Sequence, residues 1–280
     1  MIKLYGVIGD PIVQSMSPVM QSQEFNQLGI EAHYHPFHIV DKDLKDAVKG
    51  MKAIGIAGFN VTSPHKTTIM PFLDYIDPLA KAIGAVNTVV RVNDEFHGYN
   101  TDGMGFIKAL QADWKESFYH DNALIIGAGG AAKAIYYTLL STGMKNIDIS
   151  NRSVDKAKQL IMDCPFEGNS KAMSLKEAET SLDQYQLIIQ TTSIGMYPHL
   201  SDSPLSLAKL NQDAFVSDII YNPFETALLK EAKERGAKIQ NGVGMFVYQG
   251  ALAFEKWTSI VPDVERMKKI VIKHLGGNPC

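Results

Sequence analysis

Residues 125 to 134 read IIGAGGAAKA, a β-rich run that turns into a helical one through Gly127 and Gly129, with Ala132 completing a G-x-G-x-x-A pattern. This stretch constrains the fold most. A strand must end, the chain must turn tightly, and a helix must begin with its first N–H groups unobstructed. Those N–H groups and the helix dipole favour phosphate, so the pattern points to a dinucleotide. Glycine-rich turns also serve as plain connectors, which makes the following strand decisive.

That strand, NIDIS (146–150), ends in Asn151-Arg152-Ser153, with Lys156 one helical turn on. An NAD site would place an acidic residue near the strand end to hold a ribose hydroxyl. Asp148 comes too early and is expected to point along the strand. Arginine donates several hydrogen bonds to a 2′-phosphate and serine adds a hydroxyl, so NADP is expected over NAD.

Short β-rich runs alternate with helix-period segments throughout, the signature of parallel α/β layers. Strands are expected at 3–9, 33–39, 56–62, 123–126, 146–150, 185–191, 215–221 and 237–242. Two more are expected to flank an Asn93-Asp94 turn. Ser17 is read as a helix N-cap with Pro18 at the first helical position and Gly29 past the end. Further helices are read at 41–53, 104–112, 226–236, 245–257 and 262–275, after a polar stretch at 115–122 in the case of the fresh strand at 123.

A chain of 280 residues accommodates roughly two domains. Its net charge of −3 and lack of a basic run argue against nucleic acid or an anionic membrane as partner. Two cysteines, Cys164 and Cys280, make no disulfide framework. No signal peptide and no membrane span are read, so a cytoplasmic, reduced protein is expected.

Polar clusters stand at expected strand ends in the first half. Ser15 and Ser17 form an S-x-S pair whose hydroxyls share a side if the backbone is extended, an arrangement suited to a small carboxylate. Thr62 and Lys66 follow the strand at 56–62, beyond Pro64; Asn87 lies in GAVNT and Asp102 in GYNTDG, where it could also cap a helix. His33, His35 and His38 invite a metal reading, but alternation splits them between two strand faces. His65 is read as a packing or surface residue rather than a base.

GDPIVQSMSPVM, GFNVTSPHK, GAVNTV, GYNTDGMGF, GAGGAAKA, NRS, TTSIGM, SDIIYNP and NGVGMFVYQGA follow one another in this order. Together they resemble the successive motifs of the shikimate dehydrogenase family. The resemblance implies two α/β domains around a cleft: a substrate-binding domain, 1–103, joined by C-terminal helices 245–280, and a Rossmann-type NADP domain, 104–244. It implies that Lys66 and Asp102 are catalytic and that Ser15, Ser17, Thr62, Asn87 and Gln249 contact substrate as well. Gly127, Ala128, Gly129, Gly130, Ala131, Asn151, Arg152, Ser153 and Lys156 would hold NADP, with Ile219, Tyr221 and Gly242 near the nicotinamide or the cleft. Departures are Gln21, where relatives often carry histidine, Gln190, where asparagine commonly stands, and Gly244, where an acidic residue can occur.

The implied activity is reversible reduction of 3-dehydroshikimate to shikimate by NADPH, without a metal, in chorismate and aromatic amino-acid biosynthesis, by a monomer or homodimer. Two alternatives stand beside it. One is a quinate/shikimate dehydrogenase using NAD or NADP. The other is a non-catalytic ligand-sensing module of the same fold, which the presence of both Lys66 and Asp102 disfavours.

Overall fold

The computed structural model describes residues 2–114 and 118–276. Cys280 and the first three residues of the polar stretch read at 115–122 lie outside the described residues.

Chain order within the described residues is β1 (Lys3–Gly9), α1 (Ser17–Gln27), β2 (Ala32–His38), α2 (Leu44–Ala53), β3 (Gly58–Val61), α3 (His65–Thr68), β4 (Tyr75–Ile76), α4 (Pro78–Ile83), β5 (Thr88–Val92), β6 (Glu95–Tyr99) and α5 (Asp102–Trp114). Then follow β7 (Ala123–Ile126), α6 (Gly130–Ser141), β8 (Ile147–Ser150), α7 (Val154–Met162), β9 (Ala172–Met173), α8 (Leu175–Thr180), β10 (Leu187–Gln190), β11 (Phe215–Asp218), α9 (Ala227–Glu234), β12 (Lys238–Gln240), α10 (Val243–Thr258) and α11 (Val264–His274). They form two compact units, residues 1–101 with 247–280, and residues 102–246.

The first unit holds a six-stranded sheet ordered β2-β1-β3-β5-β6-β4. It is not parallel throughout. β2, β1 and β3 run parallel, but β5 lies antiparallel to both β3 and β6. The β5–β6 reversal is local: Asn93 and Asp94 take φ of 46° and 68°, and a two-residue turn of that kind reverses the chain. One face of the sheet buries Ile8, Phe59, Val89 and Phe96 against Leu44, Val48 and Met51 of α2 and its approach. The other buries Tyr5, Val7 and Tyr34 against Phe25 of α1 and Phe254 and Trp257 of α10. Gly58 has no room for a side chain there, because a Cβ would lie 2.4 Å from the Trp257 indole nitrogen, which donates to the Val89 carbonyl at 2.9 Å.

The C-terminal helix is locked onto this unit by charge. Glu24 of α1 is fully buried and accepts from Arg266 Nε at 2.9 Å, Arg266 Nη2 at 2.6 Å and the Asp263 N–H at 3.1 Å. Its carboxylate thereby holds the start of α11.

The second unit holds a wholly parallel sheet ordered β12-β11-β10-β7-β8-β9. The strand order reverses between β7 and β10, and in open α/β sheets the crevice outside the carboxyl ends of such strands receives ligands. β7, β8 and β10 are short apolar runs that hide nearly every residue, as strands covered on both faces must. α5 lies close on α6 because Gly103 faces it; a Cβ on Gly103 would meet Thr138 Oγ1 at 2.0 Å.

Candidate active site

In the second unit the glycine turn leaves β7 at the strand reversal. Gly127 has φ of 115°, and a Cβ there would lie 2.4 Å from Thr191 Oγ1, so both backbone and space require glycine. Gly129 precedes α6 as its cap without any side-chain hydrogen bond, and Gly130 opens the helix. A Cβ on Gly129 or Gly130 would meet nothing within 4 Å, which leaves open space over the helix N-terminus. Ala128 and Ala131 beside them are half-buried. A pyrophosphate fits this cradle by the backbone alone.

Beside it, Arg152, Ser153 and Lys156 are exposed at the start of α7. Ser153 is the cap residue of α7, yet its hydroxyl makes no capping bond; Asn151 instead donates from Nδ2 to the Ser153 carbonyl at 2.9 Å. Asp148 is unavailable to a ribose, since its carboxylate accepts from the Lys171 N–H at 2.8 Å and the Tyr185 hydroxyl at 2.8 Å.

Ile219, Tyr221 and Gly242 come together past β11. The Gly242 N–H donates to the Ile220 carbonyl at 2.9 Å, and a Cβ on Gly242 would fall 1.9 Å from the Ile219 oxygen. The Tyr221 ring packs 5.2 Å from that of Phe246. Gly244, where an acidic residue can occur in relatives, faces Ala109, whose Cβ lies 3.0 Å from a notional Cβ on the glycine.

Two further residues organise this end: Gln190, the departure noted in the sequence, and Asp218, which sequence reading missed. Gln190, fully buried, accepts from the Thr192 N–H at 2.8 Å and donates to the carbonyls of Thr192 at 3.3 Å and Ile194 at 3.1 Å, pinning the loop next to Gly127. Asp218 accepts from the Ile220 N–H at 2.9 Å and the Thr226 hydroxyl at 2.7 Å, fixing the turn that carries Ile219 and Tyr221.

Burial pushes the Asp218 carboxyl up from its ordinary 3.8 to about 6, against the opposing pull of those two donors. A raised folded-state value means that the folded chain holds this proton more tightly. The stabilisation from protonation is therefore complete below 3.8 and lost as pH rises through about 6, an effect on the order of 2–3 kcal/mol. Asp218→Asn cannot ionise. Its Tm relative to the parent is expected to be more favourable at pH 8 than at pH 5, as thermal melts at the two values would measure.

In the first unit, Lys66 stands in α3, half-buried, its carbonyl accepting from the Val86 N–H at 2.7 Å. Half-buried Thr62 lies just past β3, its N–H donating to the Ile8 carbonyl at 3.0 Å. The peptide between Ser63 and Pro64 is cis. His65 is not on the surface: it is fully buried, with Nε2 2.5 Å from the Ile39 carbonyl. Its Nδ1 lies 3.0 Å from Asp41 Oδ1 in an alignment that makes no hydrogen bond. His33 and His35 are exposed on β2, while His38 pairs with Asp10 at 2.8 Å. Among the described residues no cluster of three or more His, Cys, Asp or Glu could hold a metal.

The serine pair differs from expectation. Met16 is in helical conformation and takes the cap position, so the backbone through Ser15-Met16-Ser17 is not extended and Ser17 is already the first residue of α1. Ser17 makes no capping bond; its N–H donates to Ser15 Oγ at 3.3 Å.

A separate set of polar contacts starts at Tyr34. The Tyr34 hydroxyl donates to Asn60 Oδ1 at 2.7 Å, and Asn60 Nδ2 donates to the Asn87 carbonyl and Thr88 Oγ1, each at 3.2 Å. Asn87 Nδ2 reaches Thr101 Oγ1 at 3.0 Å and Gln249 Oε1 at 3.5 Å. Thr101 Oγ1 also donates to the Gln249 carbonyl at 3.0 Å. Asn87 and Gln249, from two distant segments, thus belong to one network, and Tyr34, Asn60 and Thr101 are members that sequence reading missed. Asp102 follows Thr101 directly as the half-buried first residue of α5, in the second unit.

With this geometry established, known proteins supply the family. Residues 7–89 match the shikimate dehydrogenase substrate binding domain, 109–219 match shikimate / quinate 5-dehydrogenase, and 242–272 match the shikimate 5′-dehydrogenase C-terminal domain. The chain belongs to the shikimate dehydrogenase family. The shikimate dehydrogenase (NADP(+)) of Bacillus cereus strain AH187 is 56% identical over 277 residues, covering 99% of this chain and all of that protein. A crystal structure of a shikimate dehydrogenase in complex with NADP+ superposes with a TM-score of 0.90 at 41% identity, covering 98% of this chain and 96% of the other. The shikimate 5-dehydrogenase of Listeria monocytogenes, in complex with shikimate and NAD, gives 0.92 at 34% identity, covering 96% of each. Among the described residues no helix is long and apolar enough to cross a membrane.

Proposed function

We propose that this member of the family reduces 3-dehydroshikimate to shikimate with NADPH, reversibly, and that residues 1–103 with 245–280 bind substrate while 104–244 bind NADP. The observation that carries the reading is the full-length likeness to the Bacillus cereus enzyme. NADPH, when bound, supplies the hydride that attacks the ring ketone carbon. Everything else falls to side chains.

Negative charge grows on the ketone oxygen as its carbon accepts the hydride. The Lys66 ammonium stabilises that charge and delivers a proton to the oxygen, becoming a neutral amine that solvent reprotonates. Asp102 serves as its partner carboxylate, favouring the charged lysine and orienting a flexible stem. Ser15, Ser17, Thr62, Asn87 and Gln249 hold the substrate's carboxylate and hydroxyls. Gly127 to Ala131 receive the pyrophosphate; Asn151, Arg152, Ser153 and Lys156 receive the 2′-phosphate; Ile219, Tyr221 and Gly242 border the nicotinamide. The chain acts in the cytoplasm, as a monomer or homodimer.

Initial rates with shikimate and quinate, each with NADP and NAD, test the reading. Shikimate with NADP is expected to be the best pair, and Arg152→Ala is expected to raise KM for NADP several-fold while leaving that for NAD unchanged. Binding of NADPH and 3-dehydroshikimate without loss of NADPH absorbance would overturn it in favour of a sensing module.

A further inference from the structure

Thr191 stands directly after β10, one of the two strands between which the sheet order reverses. Its N–H donates to the Ile126 carbonyl at 2.9 Å, which simply continues the parallel ladder. Its hydroxyl donates to the same carbonyl at 2.7 Å. The direction of that bond is fixed, since a carbonyl oxygen has no proton to give. A half-buried hydroxyl does not need the bond for itself, because solvent can replace it. What the bond changes is the Ile126 carbonyl, whose two lone pairs are both engaged.

At the other end of the same peptide, the Gly127 N–H donates to the Ser150 carbonyl at 2.7 Å. The peptide that opens the glycine turn is thus held from both strands that flank β7. Thr191 Oγ1 also occupies the place of a Gly127 side chain, 2.4 Å from a notional Cβ. Beyond it, the Gln190 amide fastens Thr192 and Ile194 and so holds the loop that leads away from Thr191.

We infer that the Thr191 hydroxyl is a positioning group for the dinucleotide: it sets the plane of the Ile126–Gly127 peptide, at the root of the phosphate cradle. The inference rests on the proposed reception of the pyrophosphate by Gly127 to Ala131. A cradle of backbone N–H groups has no side chain to correct its aim, so the peptide at its root decides where those groups point. The pyrophosphate is common to NADP and NAD, so Thr191 acts on both alike, unlike Arg152.

Thr191→Ser keeps the hydroxyl and Thr191→Ala removes it. Thr191→Val puts in its place a methyl group that needs roughly 3.3 Å from an oxygen, and so displaces the Ile126 carbonyl as well. Fluorescence titration with NADPH and NADH, thermal melts without cofactor, and inhibition by 2′-AMP test the inference. Thr191→Ala is expected to raise Kd for NADPH and NADH by the same factor, about three- to tenfold, the effect of one hydrogen bond. Thr191→Val is expected to do so at least as strongly, and Thr191→Ser to bind both like the parent. The inhibitor 2′-AMP carries the adenosine and the 2′-phosphate but no pyrophosphate. Its inhibition constant is expected to be unchanged, as is KM for shikimate.

A lowered Tm with unchanged Kd in Thr191→Ala would make the hydroxyl merely structural and overturn the inference. So would weakening of NADPH alone, or equal weakening of 2′-AMP. Gly129→Asp separates this inference from the reading beneath it, because a φ of −92° and open surroundings admit a side chain there. Its carboxylate over the start of α6 is expected to abolish NADPH binding while sparing inhibition by 2′-AMP. That loss beside an unchanged Kd in Thr191→Ala would leave the cradle as proposed and overturn the role of Thr191 alone. If Gly129→Asp binds NADPH like the parent, the pyrophosphate lies elsewhere, and the inference falls with that reading.

Discussion

Lys66→Ala is expected to lose turnover by about 10²–10⁴-fold while NADPH still binds, the magnitude set by positioned proton transfer. The lysine's backbone is held on both sides. Fully buried His65 ties α3 to the Ile39 carbonyl, and the Val86 N–H donates to the Lys66 carbonyl at 2.7 Å. Truncating the side chain touches neither bond, so the fold should survive. Lys66→Arg adds a sharper test. A guanidinium keeps the positive charge but does not release a proton in the working pH range, so little recovery is expected if proton delivery dominates. Fluorescence titration with NADPH and initial rates separate binding from chemistry. Near-normal turnover in Lys66→Ala would remove the lysine from the mechanism.

Arg266→Ala is expected to be the most damaging change at a residue given no contact with substrate or cofactor. It leaves the fully buried Glu24 carboxylate without its guanidinium, with only the Asp263 N–H at 3.1 Å among the donors described above. Breaking one partner of such a pair destabilises by about 3–5 kcal/mol, a fall in Tm of roughly 10 °C for a unit of this size. Exposed pairs in the same chain, such as Lys158 with Asp155 at 3.3 Å, contribute far less. Replacing both partners, as Glu24→Leu with Arg266→Leu, removes the stranded charge and should restore most of the loss. A calorimetric scan of the three proteins decides it. If Arg266→Ala melts like the parent, the pair carries no stability.

Much of the fold was legible because its signals are local. The run from Ile125 to Ala134 gives β7, the glycine turn and α6 by itself. The Asn93-Asp94 turn marks a hairpin, and Gly29 and Gly236 end their helices at φ of 66° and 92°. Two short helices show no signal in the sequence but their caps. Asp77 caps α4 ahead of Pro78, and Ser174 with Glu177 forms a full capping box on α8. These helices are too short to show an apolar period, so the cap is the whole signal. The mixed first sheet was harder, since which strand pairs with β3 is a long-range matter that no window contains.

The site divides in the same way. Chemistry-bearing side chains at strand ends, such as Thr62, Asn87 and Arg152, announce themselves by type and place. Tyr34 and Asn60 do not. Each sits inside a strand and reads as ordinary β-sequence; only the parallel register, which sets Tyr34 beside Tyr5 and Tyr5 beside Gly58, brings β2 and β3 near enough for a phenol to reach an amide.

The chain has two tryptophans, and the contacts around them differ. Trp114 stacks on Phe118 and Phe215 in the second unit, at 5.8 and 5.2 Å, whereas Trp257 lies against Tyr5 in the first at 5.2 Å. Each unit therefore carries its own intrinsic fluorophore. A single-tryptophan protein made by changing one indole to phenylalanine reports denaturation of one half of the chain alone, so optical spectroscopy without any label tells whether the halves lose structure together or in succession.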